Sequence, residues 1–402
     1  MAVQKAVRHI NEIRALETLF KNGPMSRADL ARELEVTRAT ASSIVAALVK
    51  NNFLLEESSA KNTQLTLENR PNKTGRPGKY IYLNPNHAFF VGADIGVGRI
   101  TISIINLTAE VVNAHSILYD LTDTDPLKIA NILAQNAESI IKELGILESV
   151  IGLNIIVPGL VDLQGTVRRA PALRWKNIPL CQMVQSLLTE IEVKGLENDA
   201  NAFAFADTQN NAASNTQEAV YLFLDAGLGG CIISSGDIHR GFHGYAGEIG
   251  HIVVGEQGYT TSHTIKGSLE SYVTREAILN YHNSIGGEVT IFDDFLSLVT
   301  KKDNKALETL THWSYYLGRG IAALTNILNP EKIIIGGPIS ILIDYAYDAL
   351  MQHIQDHLLD DSNLPILERS KMSAEAPATG AALMMHKEFF AYNKALLFGE
   401  KI

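Results

Sequence analysis

The stretch Val91–Ile100, VGADIGVGRI, decides the fold. An apolar run from Phe89 to Ala93 ends in Asp94, passes Gly96 and Gly98, and resumes as Ile100–Ile104. Apolar runs of that length, interrupted by glycines, predict two short strands joined by a tight turn. A turn of this kind aims backbone N–H groups outward, and what they meet separates an enzyme from a sensor.

Outward from the turn, strand and helix signals alternate. Strands are expected at 89–93, 100–106, 150–156 and 193–196, with helices at 126–144 and 180–191. A second series opens the same way, with strands 219–224 and 230–234 around Asp225-Ala226-Gly227. Helices near 268–281, 291–300 and 304–328, strand 332–335 and helices from about 339 and 380 complete it. Two successive α/β units, each opening on strand, glycine turn and strand, imply two lobes with a cleft between them.

The chain has 402 residues, 46% of them apolar, an ordinary globular composition with room for several domains. No signal-peptide core precedes the first charges and no long uncharged apolar run follows, so no membrane association is expected. Two distant cysteines, Cys181 and Cys231, exclude a disulfide framework and fit a reducing cytoplasm. Charge divides unevenly. Residues 1–85 hold 13 basic and 8 acidic side chains, whereas the remainder holds 21 and 36. A basic head on an acidic body points to a polyanion met only by the head, although variation between domains gives the same pattern.

The head carries a helix over Lys5–Asn22, with Ile10, Ile13, Leu16, Leu19 and Phe20 on one face. Ser26 is placed to cap a short helix, Arg27–Leu34, and Thr37 a second, Arg38–Lys50. Two short helices around a brief turn outline a helix-turn-helix. The start of the second offers Thr37, Arg38, Thr40, Ser42 and Ser43, short polar groups and an arginine suited to base edges and phosphates. Phe53–Leu55 and Tyr80–Leu83 read as strands of a wing whose tip ends in Lys73-Thr74-Gly75-Arg76-Pro77-Gly78-Lys79. Arg76 and Lys79 are there suited to the phosphate backbone or a narrow minor groove. A helical hairpin with a solvated linker is the bland alternative.

In the body, the candidate chemistry lies at strand ends. Val157–Asp162, VPGLVD, makes a tight turn after an apolar strand. Glu197–Asn201, ENDAN, leads from a strand into an Ala-rich helix; Asn198 and Asp199 there suit adjacent hydroxyls, Asp199 also suits a general base, and simple helix capping would account for either. Gly244–His251, GYAGEIGH, and Gly267–Glu270, GSLE, set two carboxylates and a histidine in glycine-rich turns, an acceptor array for a polyol.

Taken together, these segments resemble the ROK family (repressors, open reading frames, kinases), in particular its winged-helix transcriptional regulators. The likeness covers nearly the whole chain: the head with GRPG, then VGADIG, VPGLVD, ENDANA, GEIGH, GSLE, NPEKIIIGGP and the closing GAAL, in order. It implies an α/β fold of actin/hexokinase (ribonuclease H-like) type behind an N-terminal α+β winged helix-turn-helix. The implied domains are the head at 1–83, a first lobe at 84–200 rejoined by a C-terminal helix at about 380–402, and a second lobe at 201–379 for sugar binding and dimerisation. Gly159, Asn198, Asp199, Glu248, His251 and Glu270 fall at the family's sugar positions, Asp199 at the kinases' catalytic base, and Gly336-Gly337 at an adenosine-contacting turn.

Three departures bear on function. Kinase members carry a double glycine and a threonine after the first Asp, where this chain has Asp94-Ile95-Gly96-Val97-Gly98. Their Gly-Thr-Gly phosphate turn is here Asp225-Ala226-Gly227, so a carboxylate stands where triphosphate charge would lie. Such a like-charge contact costs about 1–4 kcal/mol at effective dielectrics of 80 to 20. The family's zinc site uses a histidine and three cysteines; His251 remains, but Thr261, His263 and Ser268 replace the cysteines. The expectation is a non-enzymatic, cytoplasmic repressor without zinc, ATP or other cofactor. Its partners would be operator DNA, a sugar or sugar-phosphate effector and a second copy of itself, with further pairing to a tetramer open. The competing readings are an ATP-dependent sugar kinase with an accessory head and a regulator controlled by a partner protein.

Overall fold

The structure, a computed structural model, describes residues 2–58, 79–162, 164–210, 216–260, 265–360 and 363–398. Arg76 and the GRPG tip, with Thr261 and His263, lie outside the described residues.

The head begins with a helix, Ala2–Asn22. Ser26 caps Arg27–Glu33, its Oγ accepting from the Asp29 N–H at 3.1 Å. Thr37 caps Arg38–Lys50 in the same way through the Thr40 N–H. Each cap satisfies an N–H that the first helical turn leaves unpaired. The wing strands, Leu54–Ser58 and Lys79–Leu83, pair antiparallel, and Met25–Ser26 adds a third strand that the sequence pattern did not reveal.

Both lobes are built on a five-stranded sheet. In the first, Phe89–Gly96 is central; Val150–Val157 and then Val193–Asn198 join it in parallel, while Arg99–Asn106 and Val111–Leu118 continue antiparallel. The second repeats the plan around Ala219–Leu224, with Leu228–Ser234 and Asp237–Ile238 on one side and Lys332–Gly336 and Ile366–Arg369 on the other. Phe89 to Ile95 is buried without interruption, as a strand covered on both faces requires. Two hydrophobic cores follow, one per lobe.

Three expectations of local structure are corrected. The helix expected at 180–191 ends at Leu187, where the Gln185 amide donates to the carbonyls of Leu188 and Ile191 and turns the chain. The helix expected near 268–281 is two, Glu270–Val273 and Arg275–Ser284, broken by extended Thr274. After Gly159 the chain forms a small antiparallel sheet, Leu160–Val161, Val167–Ala170 and Trp175–Ile178, that the sequence did not announce.

The last helix, Ala376–Phe398, ties the molecule together. It lies on the first-lobe sheet, where Ser103 and Thr379 hydroxyls meet at 2.9 Å and the Asn154 amide donates to the Ala381 carbonyl. Gly380 lets it pack backbone to backbone on the helix Asp199–Asn210, since a Cβ there would overlap the Ala202 carbonyl. Farther along, His386 sits 4.9 Å from the Phe20 ring of the head and 5.1 Å from Phe90 of the lobe. The His386 ring also bonds the Leu107 carbonyl at 2.9 Å, so Nε2 carries the proton there. Leu16, Leu19, Ile44, Phe90, Met385 and Phe390 belong to one buried cluster. The head therefore shares a core with the body and is not a bead on a tether.

Candidate functional site

A cleft of about 730 Å³ opens where the two sheets face each other. Gly159, Asn198, Asp199, Glu248, His251 and Glu270, scattered over 112 positions of sequence, all line it. The local folding explains how. The parallel strand ending in Asn198 delivers the helix Asp199–Asn210 to the cleft floor. Asn198 Oδ1 accepts from the Ala200 and Asn201 N–H groups, and its Nδ2 donates to the Gly159 carbonyl at 3.1 Å. The side chain is thus a cap and a brace for the Gly159 turn at once. On the opposite wall, Gly230 and Gly247 bring two backbones so close that a Cβ on Gly230 would lie 2.5 Å from the Gly247 carbonyl. That contact seats the loop bearing Glu248 against the sheet.

His251 stands between two carboxylates, with Nδ1 3.4 Å from Glu248 Oε2 and Nε2 3.7 Å from Glu270 Oε1. Its buried Nδ1 has no hydrogen-bond partner. Burial pushes the Glu270 carboxyl up to about 7, opposed by the Leu228 N–H that it accepts. Burial likewise raises Glu248, with His251 opposing and Glu270 adding. Asp199, at the floor, is pushed up to about 8 by burial first and then by the charge of Asp94. These groups are crowded acceptors with few internal donors, a state that a ligand rich in hydroxyls would relieve.

The other half of the cleft holds the two glycine turns. In the first, Gly98 adopts φ +75°, and its carbonyl accepts from the Tyr119 N–H. Val97 lines the cleft there. Asp94 is buried, and burial pushes its carboxyl up to about 7, with Arg99 opposing and Asp225 adding. In the second turn, the Asp225 carboxylate does not stand alone, as the sequence implied. It forms an ion pair with Arg275, the first residue of the helix Arg275–Ser284, whose N–H also reaches the Asp225 carbonyl at 3.3 Å. The sequence reading missed Arg275, because nothing local marks a residue fifty positions away as the partner of this turn. It also missed Arg240, which bonds Glu197 Oε2 at 2.5 Å beside the floor helix. Pro338 borders the cleft, whereas Gly337, at φ +86°, serves close packing against the Leu224 backbone.

In the head, Thr37, Arg38, Thr40 and Ser43 are exposed and Ser42 is half-buried. Thr37 is engaged in its cap, and its hydroxyl lies 2.9 Å from that of Thr40. Lys79 is exposed but lies 3.7 Å from Glu56, which also accepts from Arg27. Its charge is therefore partly offset within the wing.

Residues 90–388, the two-lobed body with its returning helix, match the ROK family. The chain belongs to the ROK family. Residues 9–62 of this ROK protein match the MarR family in addition, which covers the helix-turn-helix and the first wing strand. The xylose repressor of Bacillus spizizenii is 26% identical, over 97% of this chain and 98% of its own. A glucokinase of Halalkalibacterium halodurans is 30% identical but matches 67% of this chain and 86% of its own. Among solved structures, a ROK family transcriptional regulator described as a homologue of the E. coli MLC protein superposes with a TM-score of 0.75 at 26% identity, covering 98% of both chains. The ROK body is thus common to repressors and kinases, and the likeness over the full length is to repressors.

Proposed function

We propose that this ROK protein is a sugar-responsive DNA-binding repressor whose effector occupies the interlobe cleft. One observation carries the reading: a capped recognition helix sits in a head whose core is continuous with the lobe that supplies Gly159, Asn198 and Asp199. Full-length likeness to the xylose repressor supports a sugar as the effector class. Glu248, His251 and Glu270 would receive its hydroxyls from one lobe, and Asn198 and Asp199 from the other. The ligand would thereby favour one lobe arrangement over another.

The C-terminal helix offers the route outward. It packs on the helix that begins at Asp199 and, toward its other end, on Phe20 of the head. Lobe closure would shift the head through that packing, and in a homodimer it would change the spacing of two heads on a near-palindromic operator. Arg38, Thr40 and Ser43 would face base edges and phosphates, with Arg76 and Lys79 along the backbone. ATP does not fit the proposal, because Val97 and the Asp225–Arg275 pair occupy the phosphate turns. Zinc does not fit either, since the buried Ser268 hydroxyl stands where the resemblance requires a thiolate.

The test is operator binding on a duplex selected from a random pool, measured by fluorescence anisotropy with and without D-xylose, D-glucose, N-acetyl-D-glucosamine and their disaccharides. A sugar-dependent change in affinity supports the reading. Binding that is sequence-selective but indifferent to every sugar contradicts it.

A further inference from the structure

The cleft has an acidic lining whose cations are already taken. Asp94, Asp199, Asp225, Glu248, Glu270 and Glu276 line it, against Arg99 and Arg275. Arg99, opposite Gly96 in the strand pairing, partly offsets the charge of buried Asp94. Arg275 is paired with Asp225, and that pair sits at the start of a ten-residue helix. A helix N-terminus with an arginine beside it is the ordinary seat of a phosphate. Here the protein fills that seat with its own carboxylate.

Resting on the reading of the cleft as a sugar site, we infer that Asp225 excludes phosphate by occupying Arg275, so that the effector is an unphosphorylated sugar. An incoming phosphate ester would have to break the Asp225–Arg275 pair, leaving that carboxylate uncompensated beside it. It would also lie near Asp199, to whose charge Asp94, Asp225 and Glu248 already add. A free sugar meets neither obstacle. Its hydroxyls donate to Glu248, Glu270 and Asp199, which line the cleft. The ion pair thus acts as a specificity device against charged esters rather than as a source of affinity. It also gives the carboxylate at the altered turn a local counter-charge in the folded chain.

Calorimetric titration of the full chain with matched pairs tests this: D-glucose against glucose 6-phosphate, D-xylose against xylose 5-phosphate, and N-acetyl-D-glucosamine against its 6-phosphate, each with and without Mg²⁺. The free sugar of the responding pair is expected to bind at least about tenfold more tightly than its ester, a difference of about 1.4 kcal/mol. Asp225→Asn, with folding checked by its melting transition, is expected to narrow that gap by freeing Arg275, and Arg275→Ala in the Asp225→Asn background to restore it. Asp225→Ser serves the same purpose if the asparagine variant does not fold. An ester that binds the natural chain as well as its free sugar, with or without Mg²⁺, overturns the inference and leaves the sugar-sensor reading intact. Silence from both members of every pair defeats the sugar-sensor reading itself, and this inference with it.

Discussion

The sugar half and the phosphate half of the cleft share one construction, a strand running into a turn at the cleft edge, and differ in what the side chains leave available. In the proposed sugar half, Glu248, His251 and Glu270 crowd together, and the His251 Nδ1 has no hydrogen-bond partner. In the phosphate half, Asp225 is paired with Arg275, whereas the charge of Arg99 only partly offsets the burial that raises Asp94. Polar groups left open for a ligand cost stability, whereas groups paired within the fold do not depend on one. The contrast supports the proposed sensor reading of this cleft over a kinase reading.

The largest effect is expected in the proposed sugar half. Glu270→Ala removes an acceptor from a nearly buried position and is expected to weaken sugar binding by about ten- to a hundredfold, as for a hydrogen bond to a charged group. Calorimetry measures it, and operator binding without sugar should persist. Retained sugar affinity in this variant would mean that the ligand lies elsewhere.

Smaller effects are expected along the route to the head. Phe20→Ala empties one side of the contact with His386 and Phe390 and should leave sugar affinity unchanged while reducing the sugar-dependent change in operator binding. Anisotropy titrations at saturating sugar, compared with the natural chain, check it; an unchanged response would remove the C-terminal helix from the route. Arg38→Ala should cost about 1–3 kcal/mol on the selected operator and less on random duplex. Equal losses on both would reassign Arg38 to the phosphate backbone.

The mildest expected effect concerns pH. Asp94, Asp199 and Glu270 have folded values above those of the unfolded chain. Their protonated forms are tolerated at low pH, and stability is lost as pH rises from the ordinary carboxyl range through about 7 to 8. Without ligand, the melting temperature should therefore fall between pH 5 and pH 8. Asp199→Asn should flatten that fall by about 1–2 kcal/mol, a figure reduced because the group is only partly buried from solvent. Parallel melting curves for the two proteins would contradict the assignment.

Much of this was legible in the sequence because it is carried by local chemistry. Ser26 and Thr37 marked helix starts where the structure has them, since capping depends on one side chain and the next few N–H groups. The glycine turns marked both hairpins, and the residues that the cleft brings together stood in motifs whose order could be read. What escaped depends on distant contacts. Val111–Leu118 is a largely exposed edge strand without a clean alternation of buried residues. Arg275 meets Asp225 only after the second lobe has folded, so a turn that read as an unpaired acid is an ion pair. The shared core of head and lobe is equally invisible, because Phe20, Phe90 and Phe390 come from three remote segments.

The central claim is that the sugar half works and the phosphate half does not. The most direct measurement titrates one calorimetric sample first with the responding free sugar and then with MgATP, while sugar phosphate is assayed in the same cell. Saturable heat for the sugar, none for MgATP and no phosphorylated product is the predicted result. Heat for MgATP together with a sugar phosphate that disappears in Asp199→Asn would show a working kinase and contradict the account.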